Sequence, residues 1–206
     1  MKKPLFFALM FVMTLLSNNL KADNISYTYD LGGGANVKIS AIENVKAVVV
    51  KLDNISKEEV TISLVSDEGT YFIEKVKGQP SFSKKYNLTN LEKGTYRLIV
   101  QKKATKTIQQ FELTQRNVLL YESERKEKFL PTLNQNGSKL DVNVLLGKYS
   151  NIKVKIYDTE GRNVYNDINY VVLTLNKRYD LSQLSKGAYI VEVVAGDETQ
   201  YFPIKL

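Results

Sequence analysis

Residues 86–96 read YNLTNLEKGTY, and residues 179–189 read YDLSQLSKGAY. One eleven-residue phrase is written twice, 93 positions apart, and self-similarity at a fixed period is the signature of a repeated structural unit. Two further anchors agree. VTISLVSDEG (60–69) aligns with IKVKIYDTEG (152–161) at an offset of 92, and FEL (111–113) with IKL (204–206) at 93. The chain is therefore a tandem repeat with a single-residue insertion in its second copy.

Within each copy the hydrophobic period is two. Val60, Ile62 and Leu64 alternate with Thr61 and Ser63, and Ile152, Val154 and Ile156 alternate with Lys153 and Lys155. YRLIV places Tyr96, Leu98 and Val100 on one face, and YIVEV does so with Tyr189, Val191 and Val193. Such alternation marks half-buried strands, apolar toward a core and polar toward water. Asp67-Glu-Gly69, Asp158-Thr-Glu-Gly161 and Gly196-Asp197 supply the turns between them. No stretch beyond the N-terminus has a helical pattern. The expected fold is all-β: two tandem immunoglobulin-like (fibronectin III-like) antiparallel β-sandwiches after a signal peptide.

The signal peptide is read from MKKPLFFALMFVMTLLSNNLKA. Lys2 and Lys3 precede an apolar run from Leu5 to Leu16, and a polar stretch ends at Ala22. That run is too short for an ordinary membrane span, and no later stretch is longer. The expected segments are 1–22 signal peptide, 23–115 first sandwich and 116–206 second sandwich. Export is implied, to the periplasm, the cell surface or the medium, with no stable membrane insertion once the signal is removed. The chain has no cysteine, which excludes a lipid anchor on an N-terminal cysteine and every disulfide, so burial of the core must hold the fold. The formal charge of +7 shrinks without Lys2, Lys3 and Lys21. The 29 basic residues become 26 against 22 acidic ones, a balance of +4. The densest charge run, Glu122 to Lys128, alternates in sign, unlike the one-signed face that nucleic acid needs.

The repeated phrase reads as a structural corner. Leu88 and Leu91, with Leu181 and Leu184, are placed to plug the open end of each sandwich. Gly94 and Gly187 are expected to supply a backbone angle costly for other residues. Tyr96 and Tyr189 stand where immunoglobulin-like domains carry a tyrosine corner, with the ring in the core and its hydroxyl bonded to the preceding loop.

The second copy also resembles a known family. Val154, Ile156, Tyr157, Asp158, Gly161 and Arg162, followed by Asp180, Leu181, Ser182, Leu184, Gly187, Tyr189 and Val191, are similar to the motifs of the type IX secretion system C-terminal sorting domain. The resemblance covers about residues 130 to 206. It implies a Gram-negative cell, passage across the outer membrane and a sorting-like motif centred on Tyr157, Asp158, Gly161 and Arg162. The first copy is a diverged sister, with Val65-Ser66 where Tyr157-Asp158 stand and Thr70 in place of Arg162.

Catalytic chemistry has little to draw on. With no histidine and no cysteine, histidine-based triads, thiol nucleophiles and Cys/His zinc sites are impossible. The carboxylate pairs Glu58-Glu59, Asp67-Glu68, Asp158/Glu160 and Asp197-Glu198 fall at strand ends and turns, where solvated acids are ordinary. Oxygen ligands for calcium exist at Asp158/Glu160, but without EF-hand spacing. Gly32-Gly-Gly34 lacks the Gly-Lys-Ser/Thr and helix of a phosphate cradle and reads as a hinge. Tyr27, Tyr29, Tyr165, Tyr170 and Tyr201 offer stacking surfaces, and Ile99 and Ile190 are apolar exceptions on outward strand faces.

The expectation is an exported, non-enzymatic binding or structural module with no catalytic, cofactor or metal site. The alternatives are a small type IX cargo whose second domain is the sorting signal, and a hydrolase using carboxylates alone. Secretion machinery, a surface protein or a glycan are the candidate partners, nucleic acid is not, and the oligomeric state is open.

Overall fold

The computed structural model describes residues 21–24, 36–55, 58–146, 150–171 and 173–206. Apart from Lys21 and Ala22, the expected signal peptide lies outside these, as do Tyr27, Tyr29 and the Gly32–Gly34 run. The described residues contain no helix, and hence none long and apolar enough to cross a membrane. The chain divides into two compact units, one ending at Phe129 and the other running from Leu130 to Leu206 with the N-terminal strand β1 (Lys21–Asn24) added.

The first unit holds β2 (Asn36–Ala41), β3 (Ala47–Asp53), β4 (Val60–Ser66), β5 (Gly69–Val76), β6 (Ser81–Asn87), β7 (Gly94–Gln101), β8 (Thr105–Leu113) and β9 (Val118–Phe129). They form a three-stranded sheet, β2-β3-β6, and a five-stranded sheet, β5-β4-β7-β8-β9, with every pairing antiparallel. The second unit repeats the plan with β10 (Thr132–Asn136), β11 (Lys139–Leu145), β12 (Ser150–Asp158), β13 (Asn163–Val171), β14 (Thr174–Asp180), β15 (Ala188–Ala195) and β16 (Glu198–Lys205). Its sheets are β1-β14-β11-β10 and β13-β12-β15-β16. The two units differ in their added strands. In the first, β9 covers the outer edge of β8; in the second, β1 covers the outer edge of β14.

The period-two pattern becomes the core. In the first unit Val48, Val50 and Leu52 of one sheet meet Val60, Ile62, Leu64, Leu98, Val100 and Phe111 of the other in one buried cluster. The second unit does the same with Leu140, Val142, Ile152, Val154, Ile156, Val191 and Val193. Each such side chain contributes about 1.5–3 kcal/mol on leaving water, which is how sandwiches without disulfides hold together. Leu88 and Leu181 are buried, and Leu91 and Leu184 pack half-buried against the same clusters.

Register places the insertion. Leu64 pairs with Phe72 and Ile156 with Tyr165, each followed by a bulge, after which Val65 pairs with Thr70 and Tyr157 with Asn163. The offset is thus 92 before the turn and 93 after it. The extra residue lies in the turn, and Gly69, rather than Thr70, stands opposite Arg162 in the repeat. The boundary also differs from residues 115/116. Strand β9 hydrogen-bonds along β8 from Val118 to Phe129, so the alternating charge run belongs to the first unit. Arg125 reinforces this by donating from Nη2 to Val37 O at 3.0 Å.

Each unit carries a polar clamp between its sheets. On β13, Asp167 Oδ2 accepts from Tyr179 Oη at 2.7 Å and Lys177 Nζ at 2.9 Å, both on β14. On β5, Glu74 accepts from Tyr86 Oη at 2.9 Å and Lys84 Nζ at 2.8 Å, both on β6. All three positions repeat at 93 residues, down to the lysine ammonium lying 5.3 Å from the Tyr86 ring centre and 5.7 Å from that of Tyr179. Burial pushes the Asp167 carboxyl up, but hydrogen bonds from Tyr179, Lys177 and Asn169 outweigh it and hold the group below the usual carboxylate range. Burial, then the facing carboxylate, pushes both phenols up.

Two outcomes follow from the corner and the clamp. Tyr189→Phe costs about 0.5–1.5 kcal/mol through one lost hydrogen bond, read as a lower urea midpoint; an unchanged midpoint removes the corner bond from the account. Because the folded pKa of Asp167 lies below its unfolded value, its contribution is complete above the unfolded carboxylate range and is lost as pH falls through the folded value. The denaturation midpoint therefore drops in acid, and Asp167→Asn flattens that acid limb. An acid limb equally steep in Asp167→Asn would show that the clamp does not titrate with unfolding.

Candidate functional site

The two motif stretches of the second unit converge on one pocket. Its first wall is the turn closing β12. The Asp158 carboxylate accepts the N–H groups of Glu160 at 2.9 Å and Arg162 at 3.0 Å, and Arg162 Nε at 2.7 Å. Arg162 Nη1 also lies 3.0 Å from Glu160 Oε2. Partial burial pushes the Asp158 carboxyl up, and the Arg162 guanidinium with the two N–H groups brings it below the ordinary range. Gly161 sits at φ 76°, the left-handed region that favours glycine.

The second wall is the corner. Asp180 Oδ1 accepts the N–H of Ser182 at 3.0 Å, and Leu184 N–H donates to Leu181 O at 3.0 Å, which closes the loop. Lys139 beside the Asp180 carboxyl, helped by Ser182, holds its pKa down at about 2. Tyr189 Oη donates to Ser185 O at 2.8 Å, as Tyr96 Oη does to Glu92 O at 2.9 Å in the first unit. Gly187 does not take the costly backbone angle expected of it: only Gly94 of the pair has positive φ, at an extended 159°. A Cβ there would lie 3.8 Å from Tyr189 Cε2, an ordinary van der Waals contact, so an added methyl would sit beside the ring edge without a clash.

Between these walls lies a pocket of about 580 Å³. Val164, Leu184, Ala188 and Tyr189 form its apolar lining, and Asp158, Arg162 and Lys186 are its charged groups. Asp158 and Arg162 thus join Leu184, Gly187 and Tyr189 at one place, whereas Gly161 shapes the turn. Leu181 is buried beneath. Tyr157 points elsewhere: its hydroxyl donates to Glu192 Oε2 at 2.9 Å on the outer face of the sheet, where Glu192 also takes a bond from Tyr201 at 3.1 Å. Tyr170 is 81% and Ile190 46% exposed, while Ile99 and Tyr165 are half-buried. Val164 carried no motif signal and became visible only through the fold, whereas Ser185 and Lys186 lie within the repeated phrase. The clamps were missed as well, although aligning Glu74, Lys84 and Tyr86 with Asp167, Lys177 and Tyr179 at 93 residues reveals them.

Glu59, Asp67, Asp158 and Glu160 are each engaged by a cation of the chain. Arg162 occupies the side of Asp158 and Glu160 where calcium was considered. Glu59 pairs with Lys75 at 3.3 Å and Asp67 with Arg97 at 3.0 Å. Among the described residues no group of three or more His, Cys, Asp or Glu is arranged to hold a metal ion.

Residues 135–204 match the family model of the secretion system C-terminal sorting domain, the family that the motifs of the second copy resemble. No curated protein matches the chain. A solved structure titled "Biofilm associated protein - BSP domain" is similar at 15% identity and a TM-score of 0.26, over 82% of this chain and 29% of that one. This chain therefore spans under a third of that protein's length.

The two glycines of the site separate in their response to alanine. Gly161→Ala forces a side chain into the left-handed region and lowers stability by about 1 kcal/mol, whereas Gly187→Ala stays within about 0.5 kcal/mol. Equal urea midpoints for the two variants would contradict the geometric distinction.

Proposed function

We propose that the second unit is a sorting domain directing the chain through type IX secretion to the cell surface or the medium, and that the first unit is the exported binding or structural module. The observation that carries this reading is the family match over residues 135–204, whose two motif stretches build one pocket in the fold. A non-enzymatic role accords with a chain that has neither histidine nor cysteine and whose turn acids Glu59, Asp67 and Asp158 are bound to lysine or arginine. An N-terminal signal peptide carries the chain across the inner membrane of a Gram-negative cell.

Cell fractionation with intact-mass measurement tests this. The expected result is protein at the cell surface or in the medium, with a mass showing loss of the N-terminal signal and a shortened C-terminus. Deleting residues 130–206 traps the remainder in the periplasm. A chain ending at Leu206 and confined to the periplasm overturns the sorting role and favours a tandem binding module resident there.

A further inference from the structure

We propose that the pocket of the second unit receives an aromatic side chain from a partner polypeptide, its ring against Tyr189 and its polar edge toward the Asp158–Arg162 turn. The proposal rests on the sorting reading and adds which surface of the domain is recognised and by what chemistry.

The first unit supplies the observation. At its bulge Tyr71 is the residue passed over between the Phe72 and Thr70 pairings. Its ring centre lies 5.4 Å from that of Tyr96, tilted by 59°, a separation typical of favourable aromatic pairs. Its hydroxyl lies 3.2 Å from Ser66 Oγ and donates to Glu68 Oε2 at 3.3 Å. The first unit thus covers its own corner tyrosine with a phenol that reaches the acceptors of the adjoining turn.

The second unit has the same frame without the cover. The residue passed over at its bulge is Val164, which lines the pocket and has no ring to lay on Tyr189. Asp158 stands where Ser66 stands, each accepting the N–H two residues on. Acceptor, corner tyrosine and bulge are retained, and the phenol between them is replaced by open volume. About 580 Å³ accommodates an aromatic side chain and atoms beside it.

Amide chemical shifts of the ¹⁵N-labelled chain, titrated with N-acetyltyrosinamide and with N-acetylleucinamide, test the pocket directly. The tyrosine compound shifts Arg162–Val164 and Gly187–Tyr189 with a dissociation constant of about millimolar, as its size allows. The leucine compound binds at least about fivefold more weakly, lacking the ring contact. Val164→Tyr restores the cover used by the first unit, abolishes the shifts and leaves the urea midpoint equal or higher. Gly187→Ala, which narrows the pocket without adding a ring, weakens them. Equal response to both compounds, or shifts that persist in Val164→Tyr, overturns the proposal. In cells, Val164→Tyr lowers export at least about tenfold if the pocket is a binding hot spot. Normal export of Val164→Tyr, alongside blocked export after deletion of 130–206, removes the pocket from recognition and leaves sorting intact. Export that survives that deletion removes the sorting reading, and the titration alone then judges the pocket.

Discussion

The hydrogen bond from the corner tyrosine to the carbonyl four residues earlier organises each unit. It ties the start of one strand to the loop that crosses the end of the sandwich, Tyr96 to Glu92 and Tyr189 to Ser185. A ring buried at the junction of two sheets needs its hydroxyl satisfied, because an unmade bond there costs the full desolvation of the group. The loop supplies the acceptor and is shaped by doing so. Leucines on either side of that loop then close the core from water, and in the second unit the same loop becomes one wall of the pocket.

The clamp between sheets acts at another place in the sandwich. A carboxylate on β5 or β13 faces a tyrosine and a lysine on β6 or β14. These strands belong to different sheets, so the bonds fix how one layer slides over the other, something that undirected apolar contact specifies poorly. Removing a charge even partly from water is costly unless its lone pairs are filled, and half-buried Asp167 takes bonds from Tyr179, Lys177 and Asn169. That both copies keep tyrosine and lysine while exchanging Glu74 for Asp167 shows that the charge, rather than its reach, is the constant.

Much of this was legible in the sequence, and the misreadings have physical causes. Strands with one face on a core announce themselves, as Val60-Thr-Ile-Ser-Leu64 does. Strand β9 does not, because it lies at a sheet edge where few of its side chains meet the core; Val118 is buried, and from Tyr121 onward the strand is largely exposed. With no apolar alternation to mark it, the repeat length alone set the boundary, at 115/116. Gly187 was assigned a backbone role by analogy with turn glycines, but it does not adopt a positive φ, and a Cβ there would meet Tyr189 only at ordinary contact distance. The pocket escaped notice because it arises from a missing ring, and a valine in a strand gives no signal until its repeat-mate Tyr71 is seen packed at a tilt against Tyr96.

The bulge that carries Tyr71 and Val164 has an evolutionary consequence. A residue passed over in the ladder can change size without disturbing the pairing of its neighbours. Duplication of one unit would give two such positions, with self-sufficiency required of neither copy in the same way. One copy retains its internal plug and remains a closed module. The other carries valine there, and a vacancy lined by Val164 and Tyr189 stands where the first copy has its intramolecular contact. The tandem arrangement thus offers a short mutational path from a domain that completes itself to one completed by something else.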